Sequence, residues 1–285
     1  MNRILVTGVT GNVGMEVAEA LRDRNTPFVC GVRNLEKVRA KFGQAYDLIK
    51  LDFADRSTYK LALEGVDRIF LNYPPETSLD DFHAFIRYAQ ENGIRHMTYL
   101  SVKDVQYLPF VPHYKNESVI HKSGLSFTFL RAGYFTQNLN MFLLNEITEN
   151  DRIFVPAGKG KTSFVDLRDI GEVAAITLLD LESHRNKSYV LTGQETHNFF
   201  EVAAIMTDIL GRTITYANPN LKTFKSYFLA KGMEAKYINI VGGLHTFTKF
   251  GMAKGIKPDL VRLLDRDPIS VRQYVEDFQD VFHAQ

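Results

Sequence analysis

The segment Gly8-Val-Thr-Gly11-Asn-Val-Gly14 stands between a short apolar run, Arg3 to Thr7, and a stretch in which Val13, Val17, Ala20 and Leu21 recur at helical spacing. A strand that turns through glycines into an amphipathic helix lets a ligand approach the backbone closely. The helix N-terminus adds unpaired N–H groups and a partial positive charge, so the turn suits a phosphate. Placed at the first strand-to-helix connection, the spacing is that of a dinucleotide-binding turn, with Gly8, Thr10, Gly11, Asn12, Val13 and Gly14 as its expected contacts. The competing reading is a tight turn whose glycines serve packing alone.

The remaining pattern supports the first reading. Apolar runs at 28–32, 46–51, 66–71, 96–101 and 126–130 alternate with helical material, including Leu79, Phe82, Ile86 and Ala89 behind a capping pair, Ser78 and Asp81. Repeated strand-helix-strand units predict an α/β fold, a doubly wound parallel sheet with helices on both faces. The alternation weakens after Gly133 and resumes with 163–165, a helix over 168–181 and a strand at 189–192. A further helix ends at Gly211, a C-cap, and 222–250 reads as mostly helical with a bend at Gly242-Gly243. The expected division is a nucleotide-binding domain over 1–192 and a smaller, mostly helical C-terminal lobe over 193–285, with 134–162 contributing to the substrate lobe.

At 285 residues the chain can bury a full core without disulfides or a structural metal, and its one cysteine, Cys30, allows no intramolecular disulfide. Thirty-four basic residues against 33 acidic ones leave a formal charge of +1, which gives no general field toward nucleic acid or anionic lipid. No apolar run approaches the ~18 residues of a membrane span, and the N-terminal apolar stretch is too short for a secretory signal, so the expected location is cytoplasmic. Metal-hydrolase and serine-hydrolase motifs are absent, and no metal site is expected. Gly158-Lys-Gly160-Lys-Thr162 resembles the end of a phosphate-binding loop, but Val155 stands where the motif needs glycine and an extended Phe164-Val165 follows. It reads as a basic turn.

The strand ends carry the other candidates. After the second strand the sequence runs Val32-Arg33-Asn34, without the acidic residue that binds the adenosine ribose of NAD. A guanidinium there suits a 2′-phosphate, so NADP(H) is favoured over NAD(H), with Lys37 one turn further on as a helper. Alternatively, Arg33 is a surface charge and Asn34 a helix cap. Asp52 and Phe53 follow the third strand, as a carboxylate for the adenine amino group with an aromatic beside it, or as a cap. Asn72, Tyr73 and Pro74 end the fourth strand and Ser101 and Lys103 the fifth, all at the edge where such a sheet keeps its ligand.

Several segments in order, Val6 to Gly14, Val32 to Asn34, His113 with Glu117, Ser123 to Arg131, Tyr134-Phe135 with Asn138, and Val165 to Ile170, resemble the NmrA-like family of atypical short-chain dehydrogenases. The resemblance implies a Rossmann fold binding NADP(H) or NAD(H). It also implies either reduction of quinones, azo dyes or triphenylmethane dyes, or redox sensing without catalysis. Aligned on Glu117 and the 124–128 segment, the Tyr-x-x-x-Lys pair of ordinary short-chain dehydrogenases falls on Pro109 and His113, and Tyr114 has Ser118 where its lysine would stand. Carbonyl chemistry through that dyad is therefore not expected, whereas an electron-poor acceptor can take a hydride and draw its proton from water or a histidine. His113 is the candidate catalytic residue and nicotinamide-ribose contact, against a structural histidine bonded to Glu117. Tyr134 and Phe135 are expected near the cofactor, and Tyr134, Asn138, Tyr237 and Phe247 near the substrate. The alternative function is an NADP(H)-binding redox sensor acting through a protein partner.

Overall fold

The structure, a computed structural model, describes residues 3–283. The chain divides into two compact units. The first takes residues up to Ala132, Leu167–Leu191 and Arg262–Leu264; the second takes Gly133–Asp166, Thr192–Val261 and Asp265 onward. The two units interleave along the chain. The 133–166 segment packs with the later lobe because its apolar residues Leu139, Leu143, Ile147 and Ile153 share one core with Phe199, Val202 and Phe224.

Numbered in chain order, the first unit holds β1 (Arg3–Thr7), α1 (Asn12–Asp23), β2 (Phe28–Val32), α2 (Leu35–Phe42), β3 (Leu48–Lys50), α3 (Tyr59–Ala62), β4 (Val66–Leu71), α4 (Leu79–Glu91), β5 (His96–Val102), α5 (Pro112–Lys122) and β6 (Ser126–Ala132). The second unit contributes β7 (Tyr134–Phe135), α6 (Asn138–Met141), α7 (Leu144–Asn150), β8 (Arg152–Ile153) and β9 (Thr162–Val165) before the chain returns to the first for α8 (Leu167–Leu179), α9 (Leu181–His184) and β10 (Lys187–Leu191). Then come β11 (Thr196–His197), α10 (Phe199–Leu210), β12 (Thr215–Tyr216), α11 (Leu221–Ala230) and α12 (Ala235–Lys249), all in the second unit.

Seven strands of the first unit form one parallel sheet in the order β3-β2-β1-β4-β5-β6-β10. The order reverses between β1 and β4, which makes their carboxyl ends the switch point of a Rossmann sheet. Alternate residues serve opposite faces. Leu5, Val29, Ile69, Met97 and Phe127 join Phe82, Phe85 and Ile86 of α4, while Cys30 and Val32 pack with Ala18 of α1 and Val38 of α2. Cys30 is buried; burial and then the Asp47 carboxylate push its thiol up to about 12.

Helix α1 lies close against α8, where a side chain on Gly171 would meet the Glu16 backbone at 2.6 Å. In the second unit α12 runs unbroken through Gly242-Gly243, so the expected bend is absent. Gly242 is buried, and a Cβ there would stand 2.9 Å from Leu221 Cδ1, so the glycine admits α11 instead of breaking the helix. Gly211 does cap α10, at φ 65°, with its N–H on the Thr207 carbonyl. Among the described residues no helix is long and apolar enough to cross a membrane, and no group of three His, Cys, Asp or Glu side chains could hold a metal ion.

Candidate functional site

The three glycines of the first turn do three different jobs. Gly8 adopts φ 75°, and a Cβ there would lie 2.8 Å from the Asn72 amide. Gly14 is buried in the first turn of α1, where a Cβ would meet the Gly8 carbonyl at 2.3 Å, so it serves chain packing. Gly11 is exposed and extended, and the nearest neighbour of a Cβ, the Gly8 oxygen, is 3.4 Å away. It is the N-cap of the twelve-residue α1 and gives that helix no side-chain cap. Thr10 and Asn12 are exposed beside it, and Val13 is buried. An open backbone at an uncapped helix N-terminus fits a pyrophosphate.

Thr7 fastens the switch point from below, its hydroxyl donating to the Phe70 carbonyl at 3.1 Å and accepting from the Asn72 N–H at 2.9 Å. One strand away Arg33 follows β2, 59% exposed at its side chain, and donates to Glu76 Oε1 at 2.7 Å. Asn34 caps α2 by accepting from the Lys37 N–H at 2.9 Å, which leaves the exposed Lys37 side chain pointing off the first turn. The helix-cap reading of Asn34 holds, and Arg33 is an exposed charge paired with Glu76. Asp52 caps its own turn, accepting from the Ala54 N–H at 3.0 Å. Phe53 departs from the expectation of an aromatic beside adenine: it is buried, with its ring edge-on to Phe82 and Phe85 at 5.2 and 5.1 Å. It is a core residue of the sheet's α4 face.

After β4, Tyr73 donates to the Thr77 carbonyl at 2.7 Å and packs edge-on against Phe82, and Pro74 accepts from the Thr77 N–H at 3.0 Å. Burial, and then the Glu76 carboxylate, raise the Tyr73 hydroxyl above its ordinary value. Ser101 is buried at the end of β5, and its hydroxyl has no hydrogen-bond partner.

His113 is not bonded to Glu117, as a structural role for it would require. Arg131 takes both Glu117 oxygens, at 3.0 and 2.7 Å, and so ties α5 to β6. The His113 partner is Tyr99 of β5, whose hydroxyl lies 2.7 Å from Nδ1. Asn116 donates to the same hydroxyl at 2.9 Å, and its own oxygen meets His83 Nε2 at 2.8 Å. Since the Tyr99 oxygen accepts from Asn116, its proton goes to His113, which places the imidazole proton on Nε2. Burial lowers His113 to about 4, against the opposing Glu117 charge and a backbone hydrogen bond at Leu100. A neutral imidazole at pH 7 is a hydrogen-bonding group and not an imidazolium acid. The Tyr99, Asn116 and His83 chain was invisible in the sequence because Tyr99 reads as one more apolar strand residue.

The second unit sorts its candidates into core and surface. Tyr134 is buried beside Phe164 and Phe199, and its hydroxyl lies 3.1 Å from His245 Nε2. His245 Nδ1 sits 2.8 Å from the Val241 carbonyl and must donate to it, so Tyr134 is the donor to Nε2. Burial raises the Tyr134 hydroxyl and lowers His245 to about 4. Expected as a cofactor and substrate contact, Tyr134 is instead a strut of this core. Phe135 is half-buried where β7 pairs with β9, and Asn138 opens α6. Tyr237 and Phe247 remain exposed on α12, each 42%, in a row with Ile240 and Leu244. That row recurs every three or four residues, so it forms one apolar stripe.

The model of the NmrA-like family matches residues 1–275. This chain belongs to that family. An NAD(P)H azoreductase of Xenophilus azovorans is 27% identical over 99% of this chain and 99% of its own length, and prestalk A differentiation protein A of Dictyostelium discoideum is 29% identical over 96% and 91%. The crystal structure of NADPH-dependent quinone oxidoreductase complexed with NADPH from Escherichia coli matches the fold at a TM-score of 0.87, with 23% identity over 97% of this chain and 99% of that one. Reductases and dehydrogenases recur among the NmrA-like relatives, and the chain is an oxidoreductase.

Proposed function

We propose that this oxidoreductase uses NADPH to reduce a small electron-poor acceptor of the quinone or azo-dye class. The observation that carries the reading is the exposed, unobstructed Gly11 backbone at the uncapped start of α1, one strand from the exposed guanidinium of Arg33. The residues that would hold the cofactor are Gly11, Asn12 and Val13 at the pyrophosphate and Arg33 with Lys37 at the 2′-phosphate. When bound, NADPH supplies a hydride. The chain's own contribution is to bind and orient, because Pro109 and His113 stand at the aligned positions of the tyrosine–lysine pair, Tyr114 has Ser118 in place of its lysine, and His113 is neutral with Nδ1 occupied by Tyr99. Such a site suits acceptors that need no strong acid and take their proton from water. The exposed apolar stripe of α12, with Tyr237 and Phe247, offers a wall for a flat ring. The names of the azoreductase and quinone oxidoreductase relatives support the same acceptor class.

Stopped-flow oxidation of NADPH against quinones, azo dyes and aldehydes tests the reading. Multiple turnovers with a quinone or azo dye are expected, little with aldehydes, and slower turnover in folded Tyr237→Ala and Phe247→Ala variants. Absence of turnover with every acceptor, together with a protein partner whose affinity differs between NADP⁺ and NADPH, would replace the enzyme with a sensor.

A further inference from the structure

We propose that Glu76 is a specificity-determining residue that narrows the preference for NADPH by occupying the 2′-phosphate position on Arg33. The inference rests on the reading of Arg33 as the phosphate ligand. Glu76 Oε1 accepts from the Arg33 guanidinium at 2.7 Å, the contact that a phosphate oxygen would take. Both side chains are more than half exposed, and exposed ion pairs are ordinarily weak, partly because two flexible side chains must be held together.

Here the backbone has already done part of that holding. Glu76 is the third residue of a turn closed by the Thr77 N–H on the Pro74 carbonyl at 3.0 Å, with Pro75 at the position where proline's fixed φ suits a turn. Tyr73 clamps the same turn through its bond to the Thr77 carbonyl, and its ring is anchored 4.9 Å from the ring of the buried Phe82. The loop after β4 therefore delivers a carboxylate to the end of β2, where the chain itself supplies arginine.

The two cofactors meet this carboxylate differently. A 2′-phosphate must displace Glu76 from Arg33 and then tolerate its charge nearby. A ribose 2′-hydroxyl can donate to a carboxylate, which is the service that an acidic residue at the end of the second strand performs in NAD-binding sheets. One side chain thus penalises NADPH and favours NADH, and the chain uses both cofactors with a narrower preference than Arg33 alone would give.

The test is the dissociation constant of NADPH and of NADH, by calorimetry at low and high salt, for wild type, Glu76→Gln, Arg33→Ala and the double variant. Glu76→Gln should tighten NADPH by about three- to tenfold and weaken NADH by about two- to fivefold, and the NADPH gain should shrink at high salt. Arg33→Ala should weaken NADPH by roughly ten- to hundredfold with less change in NADH. If Arg33→Ala behaves so while Glu76→Gln leaves the ratio of the two constants unchanged, the role of Glu76 is overturned and the proposed function stands. If Arg33→Ala leaves NADPH unchanged, the phosphate assignment falls and takes Glu76 with it. Both residues are exposed, and circular dichroism is the check that each variant is folded.

Discussion

At the carboxyl edge of the parallel sheet Arg33 and Glu76 face each other with more than half of each side chain in water, whereas in the second unit Glu146 is 1% exposed and accepts from Tyr227, Lys231 and Arg152 at 2.7, 2.7 and 2.9 Å. The Arg152 guanidinium also lies over the Phe154 and Tyr227 rings. Both are carboxylates paired with cations, yet they do opposite work. Burial makes the Glu146 cluster a strut, since releasing any partner would leave charge in a poorly solvated place. Exposure makes the Arg33 pair exchangeable, because water or a competing anion can replace either partner at small cost.

Acid should erase this contrast and gives the largest effect. His96 and His113 in the first unit and His245 in the second are each held at about 4 by burial, against 6.5 in an unfolded chain. Between those values the unfolded state binds more protons, so stability falls as pH falls from about 6.5 to about 4, by up to roughly 1.4 kcal/mol per pH unit for each histidine. Urea midpoints across pH 4–8 measure it; a flat profile over that window contradicts the buried neutral state. Glu146→Leu should sharpen the contrast. It should cost about 2–3 kcal/mol in urea unfolding, less than the 3–5 kcal/mol of a fully buried pair because Lys231 is 41% exposed, and leave NADPH affinity unchanged. A loss under about 0.5 kcal/mol would make the cluster ornamental.

The smallest stability effects separate the two glycines of one turn. Gly14→Ala should cost about 1–3 kcal/mol by forcing the Gly8 carbonyl aside, whereas Gly11→Val should change stability by under about 0.5 kcal/mol and still abolish NADPH binding. Equal stability losses, or undiminished binding by folded Gly11→Val, would dissolve the division of labour among the glycines.

Legibility in the sequence followed the range of the forces involved. β1, β2 and β4 lie where their apolar runs place them, and the glycine turn, the parallel sheet and the Gly211 cap followed from local chemistry. Phe53 and Tyr134 lie in cores, and the sequence does not distinguish this because an aromatic after a strand looks the same whether its ring enters a core or meets a ligand. Glu76 and Tyr99 went unseen because their partners lie 43 and 14 residues away, and period alone says which face a side chain takes, not what waits there. The bend expected at Gly242-Gly243 failed for a related reason: glycine relieves a close neighbour as readily as it breaks a helix.

The burial of Cys30 matters for a protein whose proposed acceptors are themselves electrophiles. Quinones alkylate thiolates by Michael addition, and an exposed cysteine would be consumed by the molecules passing through the site. With its thiol pushed up to about 12 by burial, Cys30 stays protonated at pH 7, and it lies inside the sheet between β1 and β3. The chain can thus meet the proposed acceptors without a reactive thiol to lose to them.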